Sequence, residues 1–233
     1  LSCRTIKLSL IDVHDWCLVN ANSTYRYMCL SYVWGDGQQF KCFRSNLEEL
    51  QEKGALLKVL NHLPKTVRDS IDVVRGLGER YLWVDALCIV QDNEDEKLLQ
   101  ISLMDHVYNQ AMFTIVALSG DSCNAGLPGV CRGSRRPPRE VERTPTWHMV
   151  TEPPSLDWIL GHTTYDTRAW TFQERLLSRR RLYLTQWGAY FQCNRMVFKE
   201  GSGSPRMLQR DPNRFPDDPS HDLAFNLSEG RRS

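Results

Sequence analysis

Apolar residues recur along the chain in two patterns that are typical of β-strands. Residues 5–13 alternate, with Ile6, Leu8 and Leu10 on one face and polar side chains on the other, which predicts a half-buried strand. The polar stretch 12–24 that follows predicts a loop. Three denser apolar runs predict strands that are buried on both faces. These runs are residues 27–34, 81–90 and 112–118.

The segments between these runs have helical spacing. Val67, Ile71 and Val74 lie on one face of a predicted helix, a second helix is predicted after the acidic stretch 91–96, and a short helix is predicted from Ser45. Strands that alternate with helices predict an α/β fold, with a mostly parallel, doubly wound sheet flanked by helices. Ligands of such sheets bind at the carboxyl ends of the strands.

The amino-acid composition changes after the third apolar run. Residues 123–167 are rich in glycine, proline and arginine, which predicts a long insertion with one strand around 147–150. A short helix is predicted over 168–178, followed by a C-terminal β-hairpin over 181–193. Residues 199–233 are polar and predict a loosely ordered tail or linker.

Length, composition and charge limit the kinds of partner that the chain is expected to have. The chain has 233 residues, of which 41% are hydrophobic, so one large domain is expected. A net charge of +1 gives no overall attraction to nucleic acid or to an anionic membrane, and no apolar run is long enough to span a bilayer. The first residues lack the apolar block of a signal peptide. We therefore expect no nucleic-acid partner and no membrane span.

The cysteines and histidines favour neither disulfides nor metal. None of the eight cysteines forms a Cys-x-x-Cys pair, and the six histidines are scattered singly. A chain of this length folds without a disulfide framework, so reduced thiols and a cytoplasmic location are expected. No metal ligands are predicted. The sequence also lacks a P-loop, a dinucleotide-binding glycine fingerprint, a nucleophile elbow and an H-E-x-x-H zinc motif.

The helix predicted over 168–178 contains the first candidate catalytic residue. Glu174 follows Trp170 by one helical turn, so the carboxylate and the indole share a face. A carboxylate beside an apolar wall is a candidate catalytic group. The alternative is structural, because Thr171 and Glu174 also have the spacing of a capping box.

Four stretches, taken together and in order, resemble the fungal HET (heterokaryon incompatibility) domain. They are YMCLSYVWGD at 27–36, LPKTVRD at 63–69, YLWVDALCIVQD at 81–92 and RAWTFQERLLS at 168–178. The resemblance covers residues 27–178 and places the domain within residues 1–198. It implies a role in non-self recognition and regulated cell death in filamentous fungi, usually as one domain of a larger protein.

HET domains look in turn like distant relatives of TIR domains. The resemblance therefore implies a TIR-like (flavodoxin-like) sheet. Several TIR domains cleave NAD⁺ at the nicotinamide–ribose bond with a glutamate on a Trp-x-x-x-Glu helix. Carried over by position, the resemblance implies that Glu174 is the catalytic residue of an NAD⁺ glycohydrolase, with NAD⁺ as substrate and no bound cofactor. An enzyme that acts on another nucleotide or nucleoside would use the same carboxylate. The insertion at 123–167 departs from compact TIR domains.

The predicted binding residues surround this glutamate. Trp34 and Trp170 are placed to stack on an aromatic ring of the ligand, with core packing as the alternative for both. Asp85, the one charge in its apolar run, either orients a neighbour in the site or pairs with an arginine such as Arg168. The remaining candidates lie at the ends of predicted strands, where they are expected to face the ribose or phosphate: Tyr32, Gly35, Asp36 and Ser119. For Asp36 and Ser119 the alternative is a structural role as the cap of a turn or loop.

A non-catalytic function is the alternative for the whole domain. TIR-type domains also act as interaction modules that signal by self-association, and this chain has no phosphate-binding fingerprint. Under either hypothesis the expected partners include further copies of the chain and other domains or a triggering receptor. An enzyme would need one well-placed carboxylate, because nicotinamide leaves as a neutral molecule and the ribosyl cation left behind is stabilised by negative charge.

Overall fold

The computed structural model describes most of the chain. The described residues are 5–35, 39–135, 140–143, 148–150, 152–163, 165, 174–202 and 206–207.

The strands of this part of the chain belong to two sheets. In chain order they are β1 (Lys7–Asp12), β2 (Cys17–Asn22), β3 (Tyr27–Ser31), β4 (Tyr81–Trp83), β5 (Thr114–Ala117), β6 (Glu140–Arg143), β7 (His148–Val150), β8 (Arg180–Thr185), β9 (Gly188–Cys193), β10 (Met196–Lys199) and β11 (Arg206–Met207).

The helices are short, with one exception. They are α1 (Leu47–Leu50), α2 (Ala55–Lys58), α3 (Lys65–Gly76), α4 (Asp85–Cys88), α5 (Glu94–Ser102), α6 (Met104–Gln110) and α7 (Leu156–Leu160). A further helical turn covers residues 174–177. Every helix within the described ranges is too short or too polar to cross a bilayer.

Nine of the described strands form one mixed sheet in the order β11-β10-β9-β8-β5-β3-β4-β1-β2. The central strands β4, β3, β5 and β8 are parallel, and the pairings outside them are antiparallel. After β3 the chain adds β4 on one side and then β5 on the other. Loops that leave neighbouring strands in opposite directions open a crevice at their carboxyl ends, where ligands of α/β sheets bind.

Burial explains why the central strands were predictable. All residues of β3 and β5 are buried, as expected for parallel strands covered on both faces. Helix α3 buries Val67, Ile71 and Val74, the residues that its spacing had predicted, and ends at Gly76. The predicted C-terminal hairpin is confirmed as β8 and β9, and the strand predicted around 147–150 as β7. An α/β sheet flanked by helices is thereby confirmed. The prediction that the sheet is mostly parallel is wrong, because five of the eight strand pairings in its described part are antiparallel.

Two predictions for the first half of the chain are wrong. The stretch 12–24 contains β2, which pairs along its full length with β1 and buries Cys17 and Leu18. The run 81–90 is not one strand, since β4 ends at Trp83 and Asp85 begins the helical turn α4. A buried turn and a buried strand have the same apolar pattern, so periodicity cannot separate them.

Three smaller details differ from the prediction. The short helix expected from Ser45 begins at Leu47, and the helix expected after 91–96 is divided into α5 and α6 at Leu103. The small strand β11 lies inside the segment predicted as a polar tail.

The loop after β5 closes against the loop after β3. The Cys123 amide donates to the Trp34 carbonyl at 3.2 Å. Gly35 has a φ of +71°, and a Cβ added there would lie 3.0 Å from the Asp121 carbonyl oxygen and from Ser122 Cα. The glycine is therefore required both by its backbone conformation and by the close approach of the two loops.

The amino end of α3 holds the same loop from the other side. The Asp69 carboxylate accepts a hydrogen bond from the Leu127 amide at 2.7 Å, and the Thr66 hydroxyl accepts one from the Gly126 amide at 3.0 Å. Lys65 forms a salt bridge with Asp69 at 2.5 Å. The stretch at 63–69 that the family resemblance includes thus fixes the loop after β5.

Replacing Gly35 by alanine is expected to destabilise the fold more than the same change at Gly54. Gly54 also has a positive φ, +79°, but a Cβ there would meet nothing within 4 Å. Gly54→Ala should cost roughly 1–2 kcal/mol of backbone strain, and Gly35→Ala a further ~1–3 kcal/mol from overlap with residues 121–122. Urea unfolding of both variants measures the difference. Equal losses would show that the loop contact has no steric role.

Candidate active site

A buried carboxylate lies at the carboxyl end of the central strand. Ser31 is the last residue of β3, is 1% exposed and is in register with Val116 of β5. Its hydroxyl donates a hydrogen bond to Oε2 of Glu174, which is 8% exposed. The Tyr165 hydroxyl also hydrogen-bonds to Ser31 Oγ. Since the single Ser31 proton goes to the carboxylate, Tyr165 is the donor to Ser31, and the three groups form a relay toward Glu174.

The backbone of Glu174 is tied to the sheet. Its carbonyl accepts hydrogen bonds from the amide of Ser178 at 3.1 Å and from the hydroxyl of Ser178 at 2.7 Å. The Ser178 hydroxyl lies 2.7 Å from Thr114 Oγ1, in the buried strand β5. The helical turn that carries Glu174 is therefore anchored at the level of the parallel strands.

The tyrosines around Glu174 remain protonated. Burial raises the pKa of Tyr165 well above its usual range, and the negative charge of Glu174 raises it further. Burial likewise raises the pKa of Tyr108, with Glu174 and Asp85 as further causes. Neutral phenols are hydrogen-bond donors at physiological pH, so Tyr165 can keep donating toward the carboxylate.

A second carboxylate, Asp85, lies at the end of β4. Its Oδ2 accepts a hydrogen bond from the Trp34 indole at 3.0 Å, and its Oδ1 accepts one from the Ala86 amide at 2.7 Å. Burial raises the pKa of Asp85 from 3.8 to about 6, although these two hydrogen bonds, the Tyr32 hydroxyl and the charge of Lys41 lower it. Asp85 is therefore held by Trp34, a residue of the loop after β3.

The loop after β3 brings two further predicted residues to this edge. The buried Tyr32 donates its hydroxyl proton to Gln39 Oε1 at 2.8 Å. Trp34 is half-buried, and the Lys41 ammonium lies 4.7 Å from its ring centroid. Stacking of Trp34 on a ligand ring stays a prediction. Its observed contacts are the hydrogen bond to Asp85 and the cation over its ring.

Ser119 follows β5 at the same edge of the sheet and is half-buried. Its neighbours Leu118 and Gly120 line an open cleft of about 320 Å³. Asp121, His162 and Thr163 complete the described lining of that cleft.

Three predicted binding residues, Asp36, Arg168 and Trp170, lie outside the described residues. So does Thr171, the partner of Glu174 in the alternative capping box. Of the other predictions, the structure brings Tyr32, Trp34, Gly35 and Asp85 together with Glu174 and Ser119 at the carboxyl edge of the parallel strands.

Two residues of the site were missed in the sequence. Ser31 had a signal, because it is the polar residue that ends a fully buried strand. Tyr165 had none, since it belongs to the long insertion and its contact with Ser31 spans 134 residues. No cluster of three or more metal-ligating side chains occurs in the described part of the chain.

Comparison with known sequences decides the family. The profile of the family described as "Heterokaryon incompatibility protein (HET)" matches residues 27–174. The chain belongs to the HET family. The match begins with the first residue of β3 and ends at Glu174, so Ser31 and Glu174 lie close to its two ends.

A named relative supports this membership. Over 102 residues the HET chain is 30% identical to "Heterokaryon incompatibility protein 6, OR allele" of Neurospora crassa. The aligned part covers 40% of this chain and 14% of that protein, which is therefore much longer. No solved structure matches the HET chain.

The environment of Asp85 predicts a dependence of stability on pH. Because the pKa of Asp85 is raised to about 6, the folded chain binds more protons than the unfolded chain between about pH 4 and pH 6. Wild type should lose stability relative to Asp85→Asn as pH rises through this window, and the difference should be constant above it. Urea unfolding from pH 4 to 8 measures it.

A second variant tests whether the titration of Asp85 causes this pH dependence. Trp34→Phe removes the indole donor, which stabilises the charged carboxylate. It should raise the folded-state pKa alone and so extend the upper end of the window to higher pH. A stability difference between wild type and Asp85→Asn that does not change with pH would contradict the assignment.

Proposed function

We propose that this chain acts in heterokaryon incompatibility, as a domain of a larger protein that signals non-self recognition and cell death. We further propose that it is an enzyme that hydrolyses NAD⁺ to nicotinamide and ADP-ribose, with Glu174 as the catalytic carboxylate. Membership of the HET family and the relative named for heterokaryon incompatibility support the first part. The geometry around Glu174 supports the second.

One observation carries the enzymatic proposal. A carboxylate that is 8% exposed, and hydrogen-bonded to a strand-end serine, lies where ligands of α/β sheets bind. The parallel strands have the order β4-β3-β5-β8, in which the first strand lies between the second and the third. Flavodoxin-like sheets have this order, which supports the TIR-like fold implied by the resemblance.

The mechanism follows from the charge that develops on the ribose. As the bond between C1′ and the nicotinamide nitrogen breaks, its electron pair goes to the nitrogen, and positive charge develops on the ribosyl group. The Glu174 carboxylate stabilises that charge in a site of low dielectric constant. Water then attacks C1′, passes its proton to the carboxylate, and the proton is released to solvent. Ser31 and Tyr165 hold the carboxylate in one orientation.

A non-catalytic interaction module is the second candidate, and helix α5 favours it. None of its residues is buried, and its apolar side chains Leu98 and Leu99 are 64% and 58% exposed. Neighbouring apolar residues on a surface helix are typical of association sites. A second copy of the chain is the proposed occupant.

Glu174→Gln is expected to lower NAD⁺ turnover about 100-fold or more while the fold survives, because the amide keeps the shape but cannot offset a positive charge. Nicotinamide release by purified protein, followed by chromatography, measures it. Glu152→Gln is the matched control, since the Glu152 side chain is 90% exposed, and it should retain wild-type turnover.

Two outcomes would contradict the enzymatic proposal. Equal turnover by wild type and Glu174→Gln would remove this carboxylate from the mechanism. Absence of turnover by wild type, at high protein concentration, would leave the interaction module as the function.

Leu98→Asp is expected to weaken self-association, because a charge in an apolar contact must be desolvated when the contact forms. Light scattering over a range of concentrations measures the mass of wild type and variant. Leu57→Asp is the matched control, since Leu57 is 50% exposed and lies on α2. A mass that stays monomeric at every concentration in wild type would argue against the second candidate.

A further inference from the structure

A half-buried cation, Lys41, lies beside the candidate site and forms no salt bridge with a carboxylate of the described residues. Among the described residues no salt bridge involves Lys41, although its ammonium lies 4.7 Å from the centroid of the Trp34 ring. The nearby Asp85 is turned toward the Trp34 indole and the Ala86 amide, which occupy one carboxylate oxygen each. The charge of Lys41 is therefore not neutralised by direct contact.

The backbone around Lys41 is fixed. Its carbonyl accepts a hydrogen bond from the Asn46 side-chain amide at 3.0 Å. The next residue, Cys42, donates to the Ala86 carbonyl at 2.9 Å and accepts from the Gln91 amide at 2.9 Å. The backbone that carries the Lys41 side chain is therefore fixed by hydrogen bonds to α4, to Asn46 and to Gln91.

A second donor on the same loop lacks an acceptor. The Gln39 Oε1 atom accepts the Tyr32 hydroxyl, whereas Nε2 of the same amide is buried and has no hydrogen-bond partner in the described structure. Buried amide donors in folded proteins are paired, so this one requires an acceptor from outside the described residues, which the oxygen of an anionic ligand can supply. Lys41 and Gln39 therefore offer donors for an anion.

Gln39 is linked to the candidate site through Tyr32, which donates its hydroxyl proton to Gln39. Burial raises the pKa of Tyr32, and the charges of Asp85 and, more weakly, Glu174 raise it further. Tyr32 is thus in the field of both carboxylates and directly follows Ser31, the partner of Glu174. In a nucleotide the phosphate is joined to the ribose, so a ribose at Glu174 brings its phosphate toward a neighbouring part of the same edge.

We propose that Lys41 and Gln39 form the phosphate-binding subsite of this domain, in which the ammonium and the side-chain amide donate to the pyrophosphate of a dinucleotide whose ribose faces Glu174. The inference rests on the proposed function, because it names the part of the substrate that this loop binds. It also explains how a chain without a glycine-rich phosphate fingerprint can hold an anionic ligand: the donors are side chains on the loop after β3.

Binding to a variant that does not turn over the substrate tests the subsite. In protein carrying Glu174→Gln, calorimetry measures the affinity for NAD⁺ and for nicotinamide riboside, which has the same glycosidic bond and no phosphate. Adding Lys41→Gln should weaken NAD⁺ binding about 10- to 100-fold, the range for loss of a hydrogen bond to a charged group. Binding of nicotinamide riboside should be unchanged.

Two matched variants sharpen the result. Lys41→Arg keeps the charge and should restore most of the NAD⁺ affinity. Lys53→Gln, at a side chain that is 80% exposed and paired with Asp15, should have no effect. Raising the ionic strength should weaken NAD⁺ binding more in protein with Lys41 than in the Lys41→Gln variant. The reason is that salt screens the attraction between the Lys41 ammonium and the phosphates.

The outcomes separate this inference from the proposed function. Hydrolysis of NAD⁺ by wild type, with affinity unaffected by Lys41→Gln, would overturn the subsite and leave the enzyme. Binding of NAD⁺ that depends on Lys41, without hydrolysis by wild type, would support the subsite and overturn the enzyme. Equal weakening of both ligands, or no binding of NAD⁺ at all, would overturn the subsite.

Discussion

A carboxylate that is nearly excluded from water must be supplied with donors, because an unsatisfied buried charge is costly. Glu174 receives one hydrogen bond from Ser31, and Ser31 in turn receives one from Tyr165. Ser31 is the last residue of a strand that pairs on both sides. The position of the acid therefore depends on the packing of the sheet, and whatever fixes β3 between β4 and β5 also fixes Glu174.

The need of buried carboxylates for hydrogen-bond donors also determines how the loops at this edge of the sheet are held. Asp85 is satisfied by the Trp34 indole and by the amide that follows it, so the loop after β3 is tied to α4. The loop after β5 is held by Asp69 and closes on Gly35. Polar groups are thus concentrated where the parallel strands end, although Asp12, Ser70 and Thr114 are also buried elsewhere in the described core. Such local departures from core composition are typical of functional sites.

The parallel core could be predicted because its strands are covered on both faces and appear as continuous apolar runs. Asp85 was placed in a strand because a buried helical turn has the same apolar pattern, and only its backbone hydrogen bonds identify α4. Glu174 was found through its motif. Its donors were not, since a contact between Tyr165 and Ser31 spans 134 residues and leaves no local pattern.

Ser31 and Glu174 are 143 residues apart in the chain, which has a consequence for synthesis. At roughly 5–20 residues per second, about 7–30 seconds pass between the translation of Ser31 and that of Glu174. The parallel pairing of β5 with β8 is also long-range and must await the whole insertion. A nascent or prematurely terminated polypeptide that stops before residue 174 therefore has the strand without the carboxylate. Such a fragment lacks the candidate active site.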